Sequence, residues 1–94
     1  MDMPKVSRCD VTDCDYNMNN CCHTMAITIG DAMNPKCDSF CQVGSKGGDM
    51  SMTAGVGSCK VSGCKFNSSL ECRASEICVG YKGQDPDCLT FQMR

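Results

Sequence analysis

Eight of the 11 cysteines fall into two sets with nearly the same spacing. The first is C-x4-C-x7-C-x14-C at Cys9, Cys14, Cys22 and Cys37; the second is C-x4-C-x7-C-x15-C at Cys59, Cys64, Cys72 and Cys88. Four thiolates are the donor set that a structural zinc ion takes in tetrahedral coordination. Such an ion has no open position for water, so it folds a domain and does no chemistry. The spacing is not the C-x2-C knuckle, but C-x4-C lies within the range of structural zinc sites. Iron also accepts four thiolates, yet C-x2-C-x2-C runs are absent. The competing reading is two disulfides per set, and spacing cannot choose among their three connectivities. Redox-active thiols are a third. Zinc, two ions with one per set, is the leading reading.

Other residue types are weaker candidates. Cys21, Cys41 and Cys78 stand where the other set has Glu71, Gln92 and Thr28, so they read as non-ligating. Cys21 could compete with Cys22 for the first ion. His23, the single histidine, is matched by Arg73 and reads as a surface residue. Met50-Ser-Met52 carries soft sulfur that suits copper(I), but it has no counterpart in either set, and ordinary gap-filling explains it. Asn67-Ser-Ser69 matches a glycosylation acceptor by accident of composition. Phosphate loops, dinucleotide fingerprints, hydrolase elbows and H-E-x-x-H pairs are absent, so an enzyme is not expected.

The elements that must position the cysteines are repeated as well. Val6 to Asn17 matches Val56 to Asn67 at an offset of 50, and Ile27, Ile29 and Gly30 match Ile77, Val79 and Gly80. Pro35, Cys37 and Phe40 then match Pro86, Cys88 and Phe91 at an offset of 51. The added residue lies between Gly80 and Pro86, which marks a surface loop. Strands are expected at 6–11, 26–29, 56–61 and 77–79, where β-branched residues are bounded by glycine. Asn17 and Asn67, each after an aromatic, read as turn residues that tolerate left-handed backbone. Sustained helical periodicity is missing. The expected fold is a small metal-stabilised, β-rich, zinc-finger-like unit in two tandem copies with little regular secondary structure. The first unit spans 5–41 and the second 56–92. The Gly/Ser-rich stretch 42–55 reads as a flexible linker. Val6, Val11, Ile27, Ile29 and Phe40, with Val56, Val61, Ile77, Val79 and Phe91, should shield the sulfurs. On this reading the units are independent, and a lesion at Cys14 spares the second.

Composition fits that picture. In 94 residues there are five aromatic side chains and no Trp, too few for a substantial apolar core, so sulfur chemistry must supply order. The formal net charge is -2, and loading eight thiolates with two divalent ions makes it more acidic. That balance argues against nucleic acid as a partner. The first unit carries Asp10, Asp13 and Asp15 where the second has Lys60, Gly63 and Lys65. No segment reaches the length of a membrane span. A basic segment followed by an apolar run is also missing, which sets the expectation of a cytoplasmic compartment where thiols stay reduced.

The pattern Val-x-x-Cys-x-Val-x-x-Cys-x-Tyr/Phe-Asn, a third Cys, an Ile/Val strand and Pro-x-Cys-x-x-Phe resembles the small bacterial domain of unknown function 1540. Two copies cover about residues 5–41 and 56–92. The resemblance implies a four-cysteine, metal-binding module and carries no activity. The functional reading is a monomeric tandem zinc protein that serves as an interaction module for an unidentified protein partner. The alternatives are a disulfide-stapled secreted or coat-type structural protein and a thiol-rich metal buffer.

Overall fold

Each copy contributes five strands. In the first copy these are β1 (Lys5–Cys9), β2 (Asn17–Met18), β3 (Cys21–Cys22), β4 (Ala26–Gly30) and β5 (Lys36–Cys37). In the second they are β6 (Gly55–Cys59), β7 (Asn67–Ser68), β8 (Glu71–Cys72), β9 (Glu76–Lys82) and β10 (Asp85–Cys88). The computed structural model describes residues 3–30 and 34–94, and among these there is no helix. The length difference between the copies falls at 31–33 in the first copy, outside the described residues. In the second copy β9 and β10 are joined as a hairpin, with Gly83 in left-handed backbone at φ 66°.

The expected independence of the two units does not hold. Six strands close one barrel in the order β1-β6-β4-β5-β10-β9, so the copies interlock. Strand β1 runs parallel to β9 and touches β6 in antiparallel fashion. Both partners belong to the other copy. By the same pseudo-twofold relation β4 runs parallel to β6. Among the described residues β1 has no strand partner from its own copy. Each parallel ladder carries a bulge at the equivalent place, with Ser7 and Gly57 as the unpaired residues.

Burial explains the exchange. A single copy has too few Val and Ile residues to hide them from water by itself. Merged, Val6, Val11, Ile27, Ile29, Val56, Val61, Ile77 and Val79 are all 2% exposed or less in one continuous core. The expected flexible linker is likewise tied down. Gly47 N–H donates to Asp15 O, Asp49 N–H to His23 O and Ala54 N–H to Cys22 O. Ala54 is fully buried, and its carbonyl accepts from Val6 N–H at 2.9 Å. Chain that lies over a cysteine site and returns to the barrel has little freedom left.

Two short ribbons, β2–β3 and β7–β8, stand outside the barrel. Their turns need two consecutive left-handed residues, the type that matches strand twist. Asn19 and Asn20 supply them in the first copy, at φ 56° and 62°; Ser69 and Leu70 supply them in the second, at 53° and 64°. Asparagine tolerates that conformation and leucine does not, so the second turn is strained.

Candidate metal centre

Each cysteine set is assembled from the same four pieces. Strand β1 ends at Cys9. A tight turn follows, closed by Cys14 N–H donating to Val11 O at 3.1 Å. The β2–β3 ribbon folds back to deliver Cys22, and β5 ends at Cys37. In the second copy Cys64 N–H donates to Val61 O at 3.0 Å, β8 delivers Cys72 and β10 ends at Cys88. Seven of these eight cysteines are buried and Cys88 is half-buried. All eleven cysteines are free thiols.

Cys9, Cys14, Cys22 and Cys37 line one cavity, together with Val79 and Pro86 from the other copy. Cys59, Cys64, Cys72 and Cys88 line a second, together with Ile29 and Pro35 from the first copy. The first cavity measures about 10 Å³ and the second about 20 Å³. Organic ligands occupy pockets of roughly 300–1,000 Å³, so only a single small ion or a water fits here. Apart from thiols the linings are apolar, with one hydroxyl residue each, Ser39 and Thr90. Among the described residues no group of three or more Cys, His, Asp or Glu is already placed to grip an ion. The sulfurs would have to draw together around one.

A family profile described as Domain of Unknown Function (DUF1540) matches residues 8–42 and 58–91. The chain belongs to this family, in two tandem copies. No curated protein and no solved structure matches it.

Within each DUF1540 copy the electrostatics of the thiols set burial against hydrogen bonding. Burial pushes the Cys37 thiol up to about 12, and the neighbouring Cys22, Cys14 and Cys9 add to the rise. Cys88 is pushed up to about 11, again first by burial, with Cys72 and Cys64 contributing. Cys9, Cys22 and Cys72 are raised for the same first reason. Opposing this, the backbone amide two residues further on pulls each of these thiols back down. Val11 serves Cys9, Thr24 serves Cys22, Ser39 serves Cys37, Ala74 serves Cys72 and Thr90 serves Cys88. An amide N–H near sulfur favours the thiolate, and such groups form the outer shell of many metal-bound sulfurs.

The role expected for Asn17 and Asn67 is corrected. Neither has left-handed backbone; that falls two and three residues later, in the ribbon turns. Both side chains are buried, and they donate to Cys9 O at 2.7 Å and to Cys59 O at 2.8 Å. They clip the first cysteine of each set to the start of its ribbon. The identical Asn at offset 50 was the available signal, but a buried acceptor cannot be read from spacing.

Further contacts were not legible in the sequence. Lys46 Nζ donates to Asn17 O at 3.1 Å, and Arg94 donates to Asn67 O in the second copy. The early linker and the C-terminal tail thus do the same job. His23 is half-buried rather than a free surface residue, with Nδ1 2.9 Å from Met52 O. Cys21 is exposed on β3 while Cys22 faces inward, as strand alternation requires. Cys41 and Cys78 are half-buried, and Cys78 Sγ lies 3.7 Å from Ser7 Oγ. Asp87 is buried on β10; its Oδ1 has no partner among the described residues, and desolvation raises its pKa.

Proposed function

We propose that each DUF1540 copy binds one zinc ion, through Cys9, Cys14, Cys22 and Cys37 in the first and Cys59, Cys64, Cys72 and Cys88 in the second. One observation carries this reading. Four unbridged thiols line each small, largely apolar cavity, and backbone amides favour the charged form of Cys9, Cys22, Cys37, Cys72 and Cys88. Burial at these five thiols favours the neutral form, whereas the amides beside them favour the thiolate that a metal ion takes. With four soft ligands the ion is structural and offers no open position, so the protein is not an enzyme.

The protein then acts as a rigid interaction module, working in the cytoplasm where thiols stay reduced. Its outer surface supports this role. Met3, Met18, Met25, Met50 and Met93 are all at least 36% exposed, and thioether side chains adapt to a protein partner. Among the described residues no helix is long and apolar enough to cross a membrane. Metal analysis and native mass spectrometry of protein purified without added metal test the reading. Two zinc ions per chain and three titratable thiols are expected. A metal-free mass, lowered by proton pairs and unmoved by chelator, would replace it with the disulfide alternative.

A further inference from the structure

Two backbone rungs join the cysteine sets. In the first, Val79 of β9 pairs with Cys9 of β1 on one side and with Cys88 of β10 on the other. In the second, Ile29 of β4 pairs with Cys59 of β6 and with Cys37 of β5. Each rung therefore runs from a cysteine of one set, through a single central residue, to a cysteine of the other set. The central residues are also wall residues: Val79 lines the first cavity and Ile29 the second. Around the barrel β5 pairs with β10 at Lys36 and Asp87, each next to a cysteine. Cys88 N–H donates to Pro35 O at 2.7 Å, which ties the last cysteine of the second set to a residue of the first copy.

From this arrangement we infer that the two sites load cooperatively, the first ion raising the affinity for the second. The inference rests on the metal reading above. To hold an ion, Cys9 and Cys37 must be fixed in place, which orders β1 and β5. Fixing β1 and β5 orders their neighbours in the barrel, β9, β6, β4 and β10. Strands β6 and β10 carry Cys59 and Cys88, so the second ion meets half of its donors already placed. The ordering cost is met once for both ions, and a ligand that orders what another ligand also needs raises that ligand's affinity. Linkage makes the effect reciprocal, whichever site fills first.

The test is a zinc titration of the full, chelator-stripped chain followed by native mass spectrometry. Two equal and independent sites place half of the chains in the one-ion form at half-saturation. Coupling of the usual size, about 5- to 150-fold, lowers that population below about one third. A one-ion species at half or above overturns the inference while leaving zinc binding intact. A chain that takes up no zinc removes the metal reading and the coupling with it. Cys14→Ser, read in the same instrument, gives a second decision. Coupled sites predict that the Cys59 set then binds zinc at least about fivefold more weakly than in wild type. Retention of one ion at wild-type affinity would refute the coupling.

Discussion

Removing the Asn17 side chain separates a turn role from a clip role. A turn residue tolerates glycine, so if Asn17 served only to bend the chain, Asn17→Gly would be neutral or favourable. The structure demands the opposite. The amide donates to Cys9 O at 2.7 Å, and the residue is 4% exposed, so water cannot take its place. A buried acceptor left without a partner costs about 1–3 kcal/mol. Glycine in a strand adds roughly 0.5–1 kcal/mol of backbone entropy that alanine does not. For a domain of this size each kcal/mol moves the melting point by about 4–8 °C. Asn17→Ala is therefore expected to lower it by roughly 5–20 °C, and Asn17→Gly by somewhat more. Asn17→Asp keeps the shape but turns a second oxygen toward the Cys9 carbonyl, and it should be the worst of the three. The other copy is an internal replicate. Asn67 makes the same bond and also accepts from Leu70 N–H at 3.2 Å, so Asn67→Ala should cost at least as much. Thermal unfolding, with and without added zinc, reads all four variants. Melting points unchanged for both Asn17→Ala and Asn17→Gly would refute the clip.

Further expectations concern the turns, the linker and proton release. Leu70 is half exposed and left-handed at φ 64°, so Leu70→Asn, the residue at the sister turn, should stabilise by about 1 kcal/mol in urea unfolding. Asn20→Leu should destabilise by a similar amount; equal midpoints for both variants would argue against backbone strain. Gly48→Ala places a Cβ 2.5 Å from His23 O at φ +87°, whereas Gly44→Ala at φ +83° meets open space. The first should therefore speed amide exchange at Asp49 and Ala54 far more than the second, and equal effects would count against a packed linker. Burial pushes Cys37 up to about 12 and Cys88 up to about 11, so in the metal-free state both hold a proton at neutral pH and must lose it to bind a cation. Zinc affinity should then rise with pH and keep rising above pH 9, and calorimetry in paired buffers at neutral pH should show proton release with each ion bound. Binding without proton release, or affinity that levels off below pH 9, would mean that Cys37 and Cys88 are already thiolates in the empty site.

Much of the candidate site was legible because its signals are short-range. The cysteine spacing and the offset of 50 are properties of one stretch of chain compared with another. The β-branched runs at Ile27–Ile29 and Ile77–Val79 form strands through local preference. The glycines beside them do not bound the strands but belong to them: Gly30 pairs with Lys36 and Gly80 with Asp87 inside the ladders. Membership in DUF1540 rests on the same local pattern. Strand partners are another matter. Two copies with one hydrophobic pattern can pair within themselves or across to each other, and the pattern reads identically for both arrangements. Total burial chooses between them. Neither copy can hide Val6, Ile27 and Ile29, or Val56, Ile77 and Val79, without the other, and the shared barrel covers all six. The rungs through Val79 and Ile29, the docking of 42–55 and the inward turn of Asn17 all follow from that long-range choice. None of them has a signature in residue spacing, because each depends on surface that exists only once the two halves have closed.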